Sequence, residues 1–357
     1  MTTVDEFMEE WNSLSEMLLV HTSGSTGKPK PMWVEKRRML NSARITCDFL
    51  GLHPGDSALL CMSLDYIAGK MMMVRSLERG LRLFCAPPSG HPLSDESLAQ
   101  VGLCDFSHQK KGVMSSADAT SVPFDFVAMV PMQVYNSLQV PIERERLARI
   151  QHLIIGGGAI DVALAVELKK LPGAVWSTYG MTETLSHIAL RRLNGEQASE
   201  WYEPFASVEI HANEEGCLVI DAPLVCAQTL VTNDIVEIRK NDSGNPIFRI
   251  KGRKDNVICS GGIKIQIEEV EKLLLPDLEA PFMIAKRKDE KFGEIAVLLT
   301  EADMEQINKV KEACRHLLPK YWVPKEFIHV DRLPMTETGK PKRNCLMESS
   351  QSDDTII

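Results

Sequence analysis

Residues 22–30 read Thr-Ser-Gly-Ser-Thr-Gly-Lys-Pro-Lys. Gly24 and Gly27 let the backbone turn tightly and point N–H groups inward, Thr22, Ser23, Ser25 and Thr26 add hydroxyl donors, and Lys28 adds a charge. Such a nest suits a polyphosphate. A Walker A loop needs four residues between its glycines and a Ser or Thr after the Gly-Lys pair. Here two residues separate Gly24 from Gly27 and Pro29 follows Lys28, which disfavours a P-loop kinase or GTPase. Taken alone, the stretch is equally readable as a flexible Ser/Gly turn.

A phosphate loop needs a strand to carry it. Phe7, Met8, Trp11 and Leu14 recur at helical spacing, and Met-Leu-Leu-Val-His (17–21) then reads as a strand running into the loop. A second helix is expected over 35–49, before Gly51. The apolar runs at 57–64, 81–87, 124–130, 152–156 and 174–179 read as buried strands, and 68–80 and 161–171 as helices between them. The methionines at 71–73 read as ordinary core. After about residue 205 short alternating runs separated by turn residues suggest a small β-rich subdomain. Beyond Lys254 a hairpin at 257–265, helices at 266–274 and 304–318 and strands at 282–287, 294–300 and 326–330 suggest a second α+β domain. The expected architecture is α/β: a large N-terminal α/β domain (1–252), a smaller C-terminal α+β domain joined by a hinge (253–347), and a disordered tail (348–357).

The 357 residues are 44% apolar and 25% charged, with a formal net charge of −9 and no long basic run, so no nucleic-acid partner is expected. No stretch reaches about 18 consecutive apolar residues, and the N-terminus is acidic where a signal peptide is basic. No membrane insertion and a cytoplasmic location are expected. The nine cysteines lack any Cys-X-X-Cys pair, which points to reduced, mostly buried thiols and neither a metal site nor a disulfide framework.

Four further segments follow the loop in order: Tyr-Gly-Met-Thr-Glu-Thr (179–184), Thr-Asn-Asp-Ile (232–235), Gly-Arg-Lys-Asp-Asn-Val-Ile-Cys-Ser-Gly-Gly-Ile-Lys-Ile (252–265) and Pro-Met-Thr-Glu-Thr-Gly-Lys-Pro-Lys-Arg (334–343). Together with residues 22–30 they resemble the motif series of the adenylate-forming acyl-CoA ligase superfamily. The resemblance implies a carboxylate attacking the α-phosphate of ATP, with Mg²⁺, to give acyl-AMP and pyrophosphate, followed by displacement of AMP by CoA. It implies that Thr22 to Lys30 cover the β- and γ-phosphates, that Tyr179 stacks on adenine beside Gly180, that Thr182 contacts the α-phosphate and that Glu183 holds Mg²⁺. Gly156, Gly157 and Gly158 resemble the adenine-side loop. Asp234 would accept from the ribose hydroxyls with Arg253 beside it, and Lys340 would reach the α-phosphate and the attacking carboxylate. Asp255 occupies the hinge position, and Ser260, Gly261, Gly262 and Lys264 match the loop that lines the CoA tunnel. Asn233 stands where relatives have glycine.

The short stretch before the phosphate loop resembles the reduced O-succinylbenzoate-CoA ligases of menaquinone synthesis, and the loss of a subdomain there makes a homodimer the expected oligomer. The acyl pocket would include Tyr66, where relatives have histidine, and Gly69, Ser186 and His187. Lys70 and Arg75 interrupt an apolar run, and either one would suit a second carboxylate on the acid. Two other readings stay open: a CoA ligase for another aryl or fatty acid, and a nucleotide-binding protein without turnover.

Overall fold

A computed structural model of the chain describes residues 2–21, 30–104, 123–160, 162–335, 341–343 and 345–348. The chain forms two compact units, the first comprising 1–210, 220–230 and 239–248 and the second 211–219, 231–238 and 249–357. Among the described residues no helix is long and apolar enough to cross a membrane. The mixed α/β class expected from the sequence is the class observed.

In the first unit, α1 (Val4–Asn12) starts at a reciprocal cap: Thr3 Oγ1 accepts from Glu6 N–H, and the Glu6 carboxylate accepts from Thr3 N–H. Its apolar stripe buries Phe7, but Leu14 lies beyond the last turn and is fully exposed, so the helical spacing overreached by one residue. Strands β1 (Met17–His21) and β2 (Pro31–Glu35) pair antiparallel, with His21 opposite Pro31. Helix α2 (Lys36–Leu50) stops where Gly51 turns left-handed (φ 65°), a conformation cheap only for glycine.

The continuous apolar runs become β3 (Ser57–Leu60), β4 (Arg82–Cys85), β6 (Phe126–Met129), β7 (His152–Ile155) and β8 (Ala174–Gly180), which pair parallel. Three antiparallel strands extend this sheet: β5 (Gly102–Leu103), β9 (His187–Arg192) and β10 (Glu203–Pro204). The order is β10-β9-β8-β7-β6-β3-β4-β5. Helices α3 (Ile67–Arg79), α4 (Asp95–Ala99), α5 (Pro131–Gln139), α6 (Pro141–Ala148) and α7 (Val162–Leu168) supply the crossovers, and Met71, Met72 and Met73 are fully buried. Chain order reverses between β3 and β6.

A disulfide joins Cys85 to Cys104, with Cα atoms 6.4 Å apart, which corrects the expectation of uniformly reduced thiols. Cys85 pairs with Gly102 across the β4/β5 ladder, so Cys104 follows directly on the neighbouring strand. No spacing motif announces a pair made by strand pairing alone.

The small antiparallel sheet, β11 (Glu209–Ala212), β12 (Cys217–Asp221), β13 (Leu230–Lys240) and β14 (Pro246–Arg253), is ordered by sequence. In the second unit, β15 (Val257–Ser260) and β16 (Ile263–Gln266) form the expected hairpin, turned by Gly261 and Gly262 with positive φ. β17 (Phe282–Asp289) pairs antiparallel with β18 (Gly293–Thr300), which pairs parallel with β19 (Glu326–His329). Alternation along β17 and β18 sends Ile284, Ala296 and Leu298 to a core with α8 (Ile267–Leu274) and α9 (Met304–Leu317), and Met283, Ala285, Val297 and Leu299 to the opposite face.

Candidate active site

In an open α/β sheet the ligand crevice lies outside the carboxyl ends of the strands, where chain order reverses. The loops leaving β3, β6, β7 and β8 gather there. The Gln133 amide, just after β6, donates to the carbonyls of Cys61 (3.1 Å), after β3, and Ser89 (2.8 Å), after β4. Gly156 runs so close to β8 that a Cβ would sit 2.4 Å from Thr178 Oγ1, and Gly157 (φ 81°) and Gly158 pass against Val130 and Pro131. The loop expected on the adenine side thus touches the loop after β6.

After β8 the chain makes a 3₁₀ turn, Thr182–Thr184, and doubles back as β9. Gly180 permits this: an added Cβ would lie 2.2 Å from the Ser186 carbonyl. The buried Thr184 hydroxyl accepts from Met181 N–H (3.0 Å) and donates to the Ser186 carbonyl (2.7 Å), pinning both ends of the turn. Between them Leu185 takes φ 66° with its side chain buried. Thr182 is buried and Glu183 exposed. Tyr179 is only 7% exposed and meets Phe248 edge-on, ring centroids 5.1 Å apart.

The acyl-pocket candidates separate. Tyr66 precedes α3 and is 42% exposed, and Gly69 lies where a Cβ would meet the Ser63 carbonyl at 2.3 Å. Lys70 and Arg75 are five residues apart on α3, about 140° around the helix. Lys70 faces α1, 3.5 Å from Glu10 and 5.6 Å from the Phe7 ring centre. Arg75, 2% exposed, donates from Nη2 to Ser186 Oγ (2.6 Å). Ser186 Oγ lies 3.2 Å from His187 Nδ1, and His187 Nε2 lies 3.1 Å from Thr46 Oγ1 on α2. Burial, reinforced by Arg75, holds His187 well below the ordinary histidine range, so it is neutral near pH 7. Burial also pushes Arg75 down to about 10.

In the second unit Arg253 donates to Asp234 (3.2 Å) and to Asp255 (3.0 Å), bridging the expected ribose and hinge residues. Asn233 donates to Asp255 (3.1 Å), a use for the side chain that stands in place of glycine. Ser260 is partly buried, while Gly261, Gly262 and Lys264 are exposed on the β15/β16 hairpin. Thr22, Ser23, Gly24, Ser25, Thr26, Gly27, Lys28 and Lys340 lie outside the described residues. The chain flanking Lys340 is anchored: Met335 bridges to Pro341, and Arg343 forms a two-pronged ion pair with Glu271.

No group of three or more His, Cys, Asp or Glu side chains able to cage a metal exists among the described residues. Magnesium takes one or two protein carboxylates and completes its shell with phosphate oxygens and water, so the single exposed Glu183 is a sufficient donor. Thr46, Thr184 and Gln133 escaped sequence reasoning. Each is one polar residue on a helix or turn, defined by contacts made across the fold.

These features define a mixed α/β protein with loops gathered on the carboxyl edge of a parallel sheet, the edge at which such folds bind their ligands. The chain belongs to the AMP-binding enzyme family, whose pattern matches residues 7–222. It is similar to the acyl-CoA synthetase (AMP-forming)/AMP-acid ligase II-like protein from Dyadobacter fermentans DSM 18053: 33% identity, 96% of this chain and 92% of that one covered, TM-score 0.60. It is 23% identical to the 2-succinylbenzoate–CoA ligase of Bacillus cereus (strain Q1) over 96% of this chain and 72% of that protein. The O-succinylbenzoate coenzyme A synthetase (MenE) of Bacillus subtilis, solved with ATP and magnesium ion, shares the fold: TM-score 0.68, 22% identity, 92% of this chain and 69% of that one covered.

Proposed function

We propose that the protein joins a carboxylic acid to CoA through an acyl-adenylate, and that the acid is 2-succinylbenzoate, as in menaquinone biosynthesis. One observation carries the reading: the Gly156–Gly158 loop and the Thr182–Thr184 turn leave the carboxyl ends of adjacent parallel strands, β7 and β8, in a chain of the AMP-binding family. The curated relatives named 2-succinylbenzoate–CoA ligase support the choice of acid.

A carboxylate is a poor electrophile because its leaving group would be oxide. Its oxygen attacks the α-phosphorus of ATP, pyrophosphate departs, and the CoA thiolate then displaces AMP from the acyl carbon. The protein's task is to hold the attacking oxygen in line and to stabilise charge developing at the α-phosphate. Residues 22–28 take the β- and γ-phosphates, and the Thr182 hydroxyl and Lys340 ammonium take the α-phosphate. Glu183 would hold magnesium, which would supply further neutralisation of that charge. Tyr179, Gly180, Gly157 and Gly158 form the adenine side, and Asp234 with Arg253 the ribose side. Residues 253–347 act as a mobile domain hinged near Asp255, which brings Ser260, Gly261, Gly262 and Lys264 to the thiol in the second step. We place the reaction in the cytoplasm.

The test is pyrophosphate release with ATP and Mg²⁺ on a panel of 2-succinylbenzoate, benzoate, a medium-chain fatty acid and amino acids, with and without CoA. Release with 2-succinylbenzoate that requires CoA for multiple turnovers is expected. A response confined to another acid would discard the assignment of the acid and keep the ligase; ATP binding without release on any acid would discard the ligase.

A further inference from the structure

We propose that Asn233 is a positioning residue that clamps the hinge: its side chain holds Asp255 to strand β13 and so slows the passage from acyl-adenylate to thioester. This rests on the ligase reading above, in which residues 253–347 turn about Asp255 between the two steps.

Lys254–Asn256 form a single 3₁₀ turn directly after β14, and none of the three is buried. A turn without a core of its own is held only as firmly as its side-chain contacts hold it. One set of contacts reaches the chain that follows the turn. Asn256 donates to Glu268, in the first turn of α8, and the Gln266 amide, at the cap of that helix, donates to the Arg253 carbonyl (3.0 Å). A second set reaches strands that precede it. Lys254 donates to both carboxylate oxygens of Glu215 (2.6 and 2.7 Å), and Asp255 accepts from Asn233 on β13. Rotation about Asp255 leaves the first set in place and breaks the second.

Within the second set Asn233 alone ties Asp255 itself to a distant strand. Arg253 also donates to Asp255 (3.0 Å), but it stands only two residues away and can travel with the turn. Asn233 is 22 residues away in the chain. A carboxylate only accepts, so the amide presents its NH₂ group, 3.1 and 3.4 Å from the two Asp255 oxygens. Arg253 continues the tie by donating to Asp234 (3.2 Å), the neighbour of Asn233 given above to the ribose. Among the described residues Leu185 is the sole non-glycine with positive φ, so position 233 makes no use of the freedom that only glycine has. The motif that residues 232–235 resemble has glycine there and can make no such side-chain contact. The clamp is thus a property of this chain, added beside the nucleotide residues without displacing them.

The experiment measures the two half-reactions separately in the wild type, Asn233→Gly, Asn233→Asp and Asn233→Gln, with saturating ATP and the acid found active in the panel above. Single-turnover pyrophosphate release without CoA reports the first step, and thioester formation after mixing the preformed adenylate complex with CoA reports the second. Asn233→Gly should leave the first within about twofold and speed the second by about 3- to 10-fold, the range set by one hydrogen bond to a charged acceptor. Asn233→Asp, which sets a carboxylate against Asp255, should speed it at least as much, and Asn233→Gln, which keeps the amide, should return it toward the wild type. Tryptic cleavage after Arg253 and Lys254 in the substrate-free proteins, followed by mass spectrometry, should accelerate in the same order while cuts elsewhere keep their rates. Thioester formation or cleavage that stays within about twofold in both Asn233→Gly and Asn233→Asp overturns the proposal. So does equal slowing of both half-reactions with a raised KM for ATP, which would make Asn233 a support for Asp234. Faster cleavage in a protein that releases pyrophosphate with no acid supports the clamp and discards the ligase reading.

Discussion

If Arg75, which has no carboxylate partner among the described residues, is held for an anion on the acid, removing its charge should not harm the empty protein. Burial pushes the guanidinium down to about 10, more than two pH units below ordinary arginine, which corresponds to about 3 kcal/mol of unrepaid desolvation. Arg75→Met relieves that cost and fills similar volume among Met71, Met72 and Met73. It gives up the charged hydrogen bond to Ser186, about 1.5–3 kcal/mol. The two nearly cancel, so the variant should match the wild type to within about 1 kcal/mol, or exceed it. Urea denaturation of the substrate-free protein, followed in parallel by near-UV circular dichroism and tryptophan fluorescence, measures this. Saturating 2-succinylbenzoate should then raise the Tm of the wild type and not that of the variant. A loss above about 2 kcal/mol in the empty protein would refute the reasoning, because it would make Arg75 a structural tie.

Four further outcomes are expected. His187 is neutral in the fold because burial lowers its pKa, so as pH falls below about 6.5 the unfolded chain gains a proton that the folded chain does not; stability should drop by up to about 1.4 kcal/mol per pH unit, and His187→Gln should flatten that limb of the stability profile. Gly180→Ala should cost about 3 kcal/mol, since its Cβ would strike the Ser186 carbonyl, whereas Gly158→Ala, with nothing nearer than 3.5 Å, should stay within about 1 kcal/mol by the same denaturation assay. Lys340→Ala should slow pyrophosphate release by about 10² to 10³. Thiol titration under denaturing, non-reducing conditions should count seven cysteines, and nine after reduction.

The strands at the centre of the large sheet were legible because parallel strands covered on both faces read as continuous apolar runs, and their ends at Leu60, Met129 and Ile155 lie close to where the runs break. β9 was not: His187-Ile-Ala-Leu-Arg-Arg is short, begins with a histidine and becomes a strand only by folding back on β8. The family was legible in a motif series of residue types at fixed spacing, and the match over residues 7–222 bears it out. The choice between Lys70 and Arg75 was not, because it turns on Glu10, sixty residues away, and on the 140° between the two positions around α3. Thr46 carried no signal at all, since a threonine inside a helix looks the same whether or not a buried histidine rests on it.

Leu185 combines φ 66° with ψ −35°, a sparsely populated backbone conformation that costs a non-glycine residue about 1–3 kcal/mol, and its buried side chain resists relief of that strain by reorienting. It stands between Glu183, which the proposed function gives to the nucleotide, and Ser186, which it gives to the acid, with Thr184 clamped across both ends. On that proposal, specificity and chemistry are written on one inflexible piece of backbone. Evolution, or an engineer, seeking a different acid would do better to rewrite the α3 face behind that loop, at Arg75 and its neighbours, than the loop itself, where each change of taste would also be a change of rate.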